Sequence, residues 1–528
     1  MSVLWSPPIE VSPAEQRVLD RCKKARLYVF LRKHRHELFD EAFQRELMAM
    51  YPERKRGREV VPPAMLAMAT ILQAWLGLSD EDAVETAEMD RRWQMCLGRL
   101  GVDKAPFSQG VLFQFRQRLI AHDLDRRLLE RTVELARATH GFGHTALRAA
   151  FDSSPLFGAS RVEDTFNLLG HAMREVVETV AVRLEIEFDE AARCAGVPLL
   201  TGTSLKAALD VEWDDPAQKK EALNRLLGQL KSLQEFLERE LRHDLEEPPL
   251  KEQWATVKQI VAQDIEPDPD GGGARIRKGV AKERRISIRD PEMRHGRKSK
   301  SSRVDGYKRH LAVDVDTKLI LAGAITPANR PEGEASGALF GDVERQGFTV
   351  EHLQIDRAYL LAMDVENRRF WDMEVHSKAY AFANGDRFTK ASFKLDFDAK
   401  RITCPAGASV SLVPGTVAHF PATTCQLCSQ RSHCTVGKNG RSLSVHREEQ
   451  FLSELRAQQK TPEGRANLRR RTPVEHRLAA VGRSQRRRAR YVGTRKNLFD
   501  LRRHAAVANL HVAAGPRWAP AARAATAI

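Results

Sequence analysis

The sequence predicts an α/β protein in which a mixed sheet flanked by helices follows an all-helical N-terminal region. Apolar residues recur at helical spacing from residue 13 to about 140, as in AMLAMATILQAWLGL. The short apolar run TALRAAF then predicts a buried strand that ends at Asp152. After residue 300, strand and helix patterns alternate in an order that builds a sheet covered by helices.

Cap residues divide the N-terminal helical pattern into segments. Ser79 and Ser108 are suited to N-cap positions, and Gly101 is suited to a helix stop. Two short helices before a third that carries arginine are compatible with a helix-turn-helix, although any small helical bundle shows the same pattern. We expect residues 1–140 to form a helical DNA-binding domain, to which the basic run at 52–58 adds charge.

The predicted core, residues 141–377, is interrupted by a helical insertion at 167–262 and a linker at 263–280, where EPDPDGGGARIRKG is rich in Pro, Asp and Gly. Asp164 is suited to the N-cap of the first inserted helix. Five leucines at a/d spacing span under three heptads and favour a helical hairpin packed within the chain over a dimerising coiled coil: Leu223, Leu226, Leu230, Leu233 and Leu237.

After the linker, six segments follow in the order strand, strand, helix, strand, helix, strand. VDGYKRHLAVDVD and KLILAGAITPAN predict a hairpin that turns near Asp316, and a helix follows from Pro331. FTVEHLQID predicts a strand ending in Asp356, AYLLAMDVENRRFW a helix and MEVHSKAY a further strand. We expect an insertion at residues 378–465, a final helical and basic region at 466–510 and a disordered tail at 511–528.

Charge points to an acidic partner. The 528 residues contain 85 Lys and Arg against 70 Asp and Glu, a net charge of +15. Fourteen basic residues face two acids between Arg465 and Arg503, and fourteen face four between Arg275 and Arg309. A single charge run usually marks a solvated face, but two arginine-rich blocks without compensating acids favour nucleic acid. Without an apolar run long enough to span a membrane, we expect a cytoplasmic, nucleoid-associated protein.

Asp152 and Asp356 each follow an apolar strand and can lie at neighbouring strand ends. Carboxylates beside a hydrophobic core are unfavourable unless a cation or hydrogen bonds compensate them. Such a group of oxygens suits Mg2+, and two ions can support phosphodiester cleavage. A strand-end aspartate can also simply cap a turn. Other acids have simpler explanations: Asp314 and Asp316 in the hairpin, Asp164 at a helix start, and Glu374 on the next strand.

Four of the seven cysteines, Cys404, Cys425, Cys428 and Cys434, fall within 31 residues. One CxxC with two further cysteines can close a tetrahedral zinc site, and redox or plain buried thiols are the alternatives. The stretch RRRTPVEHRL also has two interpretations. Thr472 as N-cap with Glu475 as capping-box partner would explain it structurally, whereas Glu475 could instead be a metal ligand among phosphate-binding arginines.

Several stretches in order resemble the DDE transposases of bacterial insertion sequences: FDSSPLFGASRVEDTFNLLGHA, DPEMRHGRKSKSSRVDGYKRHLAVD, ITPANRPE, LQIDRAYL, TCPAG and RRRTPVEHRLAAVGRSQRRRARYVGTRKNLFDLRR. The resemblance covers roughly residues 15 to 510 and includes a helical transposase N-terminal domain. It implies an RNase H-like core in which Asp152, Asp356 and Glu475 are catalytic and hold two Mg2+ ions, with Mn2+ able to substitute. It also implies hydrolysis at the transposon ends and strand transfer of the 3'-hydroxyl into target DNA.

The implied DNA complex contains a homodimer, because two ends must be brought together. Relatives carry tyrosine and lysine where this chain has Leu468 and Gly482, with Arg483 able to replace the lysine. An inactive or domesticated DNA-binding protein and a nuclease without strand transfer remain alternatives. The basic residues expected to bind DNA are Arg297, Lys298, Lys300, Lys308, Arg471, Arg483, Arg490, Arg495 and Lys496.

Overall fold

A computed structural model of the chain describes residues 4–52, 60–298 and 301–516. Lys300, most of the basic run at 52–58 and residues 517–528 of the predicted tail lie outside the described residues. No helix among the described residues is long and apolar enough to cross a membrane.

The described part of the N-terminal region contains eight helices: α1 (Pro13–Arg21), α2 (Arg26–Leu38), α3 (Glu41–Met48), α4 (Pro63–Leu76), α5 (Asp80–Met89), α6 (Arg91–Leu97), α7 (Gln109–Ala121) and α8 (Leu124–His140). Ser79 caps α5 in a capping box with Asp82, and Ser108 accepts a hydrogen bond from the Val111 amide at the start of α7, as predicted. The predicted stop at Gly101 is wrong. Helix α6 ends at Leu97 because Gly98 takes up the left-handed conformation there.

The next segment holds the first core strand and the helical insertion: β1 (Ala146–Phe157), α9 (Thr165–Leu184), α10 (Phe188–Cys194), α11 (Leu205–Leu209), α12 (Pro216–Glu240), α13 (Leu250–Asp264), β2 (Ile265–Pro267) and β3 (Ala274–Ile276). Asp164 caps α9 as predicted. Four of the five predicted leucines of α12 are buried in a core of the insertion itself, and the fifth packs against it, which confirms packing within the chain. The predicted linker is partly ordered, because β2 and β3 pair across its glycines.

The core then continues through β4 (Arg294–Arg297), β5 (Arg303–Asp314), β6 (Ile320–Pro327), α14 (Ser336–Arg345), β7 (Thr349–Ile355), α15 (Met363–Phe370) and β8 (Glu374–His376). The hairpin, the helix after Pro331 and the strand before Asp356 are confirmed. The helix predicted from AYLLAMDVENRRFW is shorter than expected, because residues 357–361 form turns before α15.

Six strands form one mixed sheet in the order β4-β5-β1-β7-β8, with β6 also paired to β5. Strand β1 is antiparallel to β5 and parallel to β7, and β7 is parallel to β8. This order and these directions, with helices on both faces, are those of the RNase H-like core that the resemblance implies.

Strand β1 does not end at Asp152 as predicted but extends five residues further, to Phe157. Its pairing with β5 continues through Ser153, Ser154 and Pro155, which keeps these polar residues extended. Proline is tolerated at this level because β7 has already ended, so only one neighbouring strand remains. Asp152 therefore lies inside a strand, one residue past the last β1–β7 pair, Phe151 with Ile355.

A small second unit precedes the final helices: β9 (Lys394–Asp396), β10 (Arg401–Thr403), β11 (Ser409–Ser411), β12 (Val417–His419), α16 (Ala422–Gln426), α17 (Arg431–Cys434), β13 (Ser442–Ser444) and α18 (Glu449–Gln458). Its core is formed by aromatic and aliphatic residues, against which three cysteines pack. The inserted segment thus folds around its own apolar cluster.

The chain ends in α19 (Pro462–Arg469), α20 (Thr472–Ser484) and α21 (Thr494–Ala513). The predicted capping box is wrong: Arg471 is the N-cap, no side chain caps the helix, and the Thr472 hydroxyl donates to the Arg469 carbonyl at 2.7 Å. Pro473 lies in the first turn, where its missing amide leaves no helical hydrogen bond unmade. Helix α21 includes the first three residues of the predicted disordered tail.

Helix α21 joins the N-terminal region to the core. It packs against α4, α8 and β6. Arg502 is buried between Asp123 and Asp342, and Arg495 pairs with Asp125. Several arginines of the C-terminal basic block thus have acidic partners from distant parts of the chain, contrary to the expectation that the block lacks compensating acids.

Burial holds His310 of β5 in its neutral form. One ring nitrogen lies 2.6 Å from the Tyr359 hydroxyl and the other 2.8 Å from the Thr326 hydroxyl. Burial lowers the pKa of His310 to about 3. Below pH 6.5 the unfolded chain therefore binds a proton that the folded chain does not, and stability falls as the pH falls.

We expect the free energy of unfolding to decrease between about pH 6.5 and about pH 3 by up to roughly 1.4 kcal/mol per pH unit on account of His310. Urea unfolding of wild type and His310→Gln across this range measures the difference in slope. His243→Gln, an exposed histidine, should retain the wild-type slope. Equal slopes for wild type and His310→Gln would contradict the assignment.

Candidate active site

Three acidic side chains surround the guanidinium of Arg471. Its Nη1 lies 3.8 Å from Asp152 Oδ1 and 3.9 Å from Asp356 Oδ2, and its Nη2 lies 2.8 Å from Glu475 Oε1. Because Asp152 and Asp356 approach the same nitrogen, their oxygens are less than about 8 Å apart, close enough to share metal ions spaced about 4 Å apart. The structure thus brings together all three acids that the resemblance implies.

The sheet and one helix position these acids. Asp152 and Asp356 are the residues after the last β1–β7 pair, so parallel register places them side by side. Helix α20 packs across the sheet through Val474, Leu478 and Val481, which share an apolar cluster with β1 and β5. Its first turn therefore lies over the two aspartates, and the spacing of four residues puts Arg471 and Glu475 on one helix face.

The acids differ in exposure. The side chain of Asp152 is 14% exposed, against 47% for Asp356 and 52% for Glu475. Burial raises the pKa of Asp152 to about 6, Arg471 opposes this rise, and the Asp356 and Glu332 carboxylates add to it. A buried carboxylate with acidic neighbours is stabilised in its ionised form by a cation, and Arg471 supplies one in this arrangement.

Three further residues lie around Asp152. Glu332, in a short 3-10 turn after β6, acts electrostatically on Asp152, and Tyr359 is buried close to both residues. Sequence reasoning interpreted Glu332 as part of a helix start, and nothing in its local pattern separated it from a capping acid. Arg309 of β5 lies between β1 and the residues that follow α20, where it donates to Ser154, Gln485 and the Arg486 carbonyl.

Arg309 also lies next to Gly482, the position at which relatives carry a lysine. A Cβ added at Gly482 would lie 3.3 Å from Arg309 Nη2. A larger side chain at 482 would therefore meet a guanidinium that is already buried there. Arg483, the suggested replacement, is exposed on α20.

The competing acids lie elsewhere. Asp316, for which turn chemistry was the expected explanation, pairs with Arg148, and it is Asp314 that accepts from the Thr317 hydroxyl in the β5–β6 turn. Asp164 is an N-cap. Glu374 lies on β8 next to His352.

The basic residues predicted to bind DNA fall into two groups. Arg297, Lys298, Arg483, Arg490 and Lys496 are exposed. The others are less exposed: Lys308 donates to the Arg330 carbonyl, Arg471 contacts the acids and Arg495 pairs with Asp125. Of the exposed group, Arg490 also donates to the Leu78 carbonyl.

The four clustered cysteines line a single cavity of about 280 Å3, together with Phe388, Phe420 and Arg441. Burial raises the pKa of the Cys434 thiol, and the other three thiols contribute to the rise. Within the described chain, however, no three of these sulfur atoms lie within 4.8 Å of one another. The thiols are gathered but more widely spaced than the ligands of a closed zinc site, whose sulfurs are about 3.8 Å apart.

Two family models match the chain. One, described as a transposase DDE domain, matches residues 403–514, and another, described as a transposase domain, matches residues 19–118. The first match contains Glu475 and the clustered cysteines, whereas Asp152 and Asp356 lie outside it. Comparisons with curated proteins and with solved structures gave no match.

An RNase H-like sheet together with a DDE domain defines an enzyme of the nuclease and polynucleotidyl-transferase type. The two matches, to different parts of the chain, indicate a DDE transposase of an insertion sequence, a family whose substrate is DNA. Members of this family generally use divalent metal ions.

Arg471 occupies the position between the acids where a metal cation would lie, so removing its charge should favour cation binding. We expect Arg471→Ala to bind Mg2+ about tenfold more tightly than wild type in the absence of DNA, seen as a larger Mg2+-induced rise in Tm. Arg483→Ala, on the same helix but exposed, should respond to Mg2+ as wild type does. An unchanged response in Arg471→Ala would show that the guanidinium does not compete with the ion.

Proposed function

We propose that the chain is a metal-dependent transposase that hydrolyses phosphodiesters at the ends of its element and joins the freed 3'-hydroxyl to target DNA. The meeting of Asp152, Asp356 and Glu475 around one guanidinium carries this proposal. Asp152 lies in β1, Asp356 directly after β7 and Glu475 in α20, far apart in the sequence. If each acid only capped a local turn or helix, there would be no reason for the three to meet.

The donor set fits Mg2+. All three side chains offer carboxylate oxygens, the ligands that this ion prefers, and the exposed parts of Asp356 and Glu475 leave room for water and phosphate oxygens. Asp152, Asp356 and Glu475 would hold two ions. When bound, these ions would activate water or a 3'-hydroxyl and stabilise charge on the leaving oxygen.

Other residues of this chain would bind and orient DNA. The exposed cations Arg297, Lys298, Arg483, Arg490 and Lys496 can pair with phosphates, which fixes the position of the duplex without reading its sequence. Arg471 can exchange its carboxylate contacts for a phosphate oxygen when metal arrives. The helical N-terminal domain is our proposed site of end recognition, and a dimer would hold the two ends together.

The cysteine cavity is proposed as a structural zinc site. Four thiols on one cavity can supply a complete tetrahedral set once they move together around an ion. Such a site would stabilise the inserted unit of residues 378–465 and take no part in the chemistry.

Loss of any of the three acids should abolish cleavage. We expect Asp152→Asn, Asp356→Asn and Glu475→Gln each to lower the rate of Mg2+-dependent cleavage of DNA bearing the element's ends by at least about a hundredfold, because metal ions contribute several kcal/mol to such reactions. Asp316→Asn is the matched control, since it makes the same change in the turn between β5 and β6, where Asp316 pairs with Arg148. A cleavage rate close to that of wild type in Asp152→Asn or Asp356→Asn would exclude the proposed mechanism.

A joining assay with pre-cleaved ends separates transposase from nuclease. Joined products with wild type but not with Glu475→Gln would support strand transfer. Cleavage without joining would favour the nuclease, and DNA binding without either activity would favour an inactive derivative.

Zinc content tests the cysteine site. We expect purified wild type to hold one more zinc ion per chain by atomic emission than Cys425→Ser/Cys428→Ser, and chelation to lower the Tm of wild type further than that of the variant. Cys194→Ser, an exposed and isolated thiol, should keep the ion. Wild type without zinc would indicate four ordinary thiols.

A further inference from the structure

A second cluster of metal-ligating side chains lies on the outer strands of the sheet. His352 is directly opposite Glu374 in the parallel β7–β8 register, and His376 is two residues further along β8. Glu374 Oε2 lies 3.1 Å from His352 Nδ1 and 3.6 Å from His376 Nε2. The two imidazole rings are nearly parallel, with an interplanar angle of 20° and centroids 5.8 Å apart.

One ligand atom from each of these side chains lies within 4.8 Å of the other two, and among residues 4–52, 60–298 and 301–516 no other set of three or more His, Cys, Asp or Glu side chains reaches this spacing. Even the acids around Arg471 are more widely spaced. The strand backbones hold His352 and Glu374 opposite each other, so two of the three ligands are positioned by the sheet itself.

The cluster is open to solvent. The side chains of His352, Glu374 and His376 are 35%, 64% and 13% exposed. An ion can therefore enter and complete its coordination with water. The set is also distinct from the proposed active site, because His352 is four residues, or about 13 Å, from Asp356 along β7.

Two imidazole nitrogens and one carboxylate oxygen favour borderline transition metals over Mg2+. We propose that His352, Glu374 and His376 bind one divalent ion of the zinc class, and that this ion clamps strand β8 to β7. Strand β8 pairs with β7 over only three residues and is the edge of the sheet from which the cysteine-containing insertion departs. A bridge between the two strands fixes that departure point.

One neighbouring charge opposes the ion. Arg470, between α19 and α20, acts electrostatically on His376. Removal of Arg470 should therefore strengthen metal binding. If the histidines and Glu374 only formed hydrogen bonds with each other, there would be no bound ion for this change to affect. Metal binding at this cluster is independent of the proposed catalytic role of Asp152, Asp356 and Glu475.

The test is a Co2+ titration of the full-length, chelator-stripped protein in excess Mg2+, followed by visible absorption. Besides any Co2+ taken up by the cysteines, we expect one Co2+ bound with the bands of nitrogen and oxygen ligands. These bands should persist in Cys425→Ser/Cys428→Ser, which removes any thiolate-to-cobalt band in the near ultraviolet. His352→Asn and His376→Asn should each weaken binding at least tenfold, and Arg470→Ala should strengthen it.

His122→Asn, which alters an exposed histidine outside the cluster, should bind Co2+ as wild type does. Glu374→Gln changes the most exposed ligand and provides a second test if a histidine variant does not fold. In the Cys425→Ser/Cys428→Ser background, Zn2+ should also raise the Tm when the histidines are intact but not when His352→Asn/His376→Asn is added. Unchanged Co2+ binding in that double variant, or in Glu374→Gln, would overturn the proposal.

Discussion

The parallel pairing of β1 with β7 is the constraint on which the rest of the site depends. It brings together residues that are about two hundred positions apart in the chain and fixes their register, so that Asp152 and Asp356 occupy equivalent places beyond the last pair. Once two carboxylates are side by side, a cation must lie near them, and the N-terminal turn of α20 supplies it. The long helical insertion between these strands is tolerated because it folds around its own apolar cluster and makes no demand on the register of the sheet.

Local patterns were enough to predict most elements of the core and the acids that it carries. Apolar runs, caps and turn residues act within a few positions, so the hairpin after Arg303, the strand before Asp356 and the caps at Ser79 and Ser108 were correctly predicted. Contacts between distant segments were not predictable in this way. Strand β1 is longer than its apolar run because β5 supports its polar half, and Glu332 comes near Asp152 only through the folded sheet.

The arginines show most clearly that contacts between distant segments could not be predicted from local patterns. In the sequence, the C-terminal basic block looks like one surface for a polyanion. In the fold, Arg502 and Arg503 are buried and paired with Asp123, Asp342 and Asp500, while Arg483, Arg490 and Lys496 remain exposed. Net charge therefore indicated the right class of partner, but only burial and pairing separate the cations that bind DNA in our proposal from those that hold the protein together.

The packing of α21 affects what happens when mutations shorten the coding sequence of the element. This helix is the last in the described chain, yet it covers α4 and α8 and, through Asn509, donates to Thr132 and to the backbone of Ile320. A polypeptide that stops before Thr494 would leave apolar faces of both the N-terminal region and the sheet uncovered. It would also remove Arg495 and Arg502 from Asp125, and Arg502 from Asp123 and Asp342. Premature stop codons or frameshifts late in the gene would thus yield an unstable product open to proteolysis, and not a stable fragment that still occupies the element's ends and blocks intact copies.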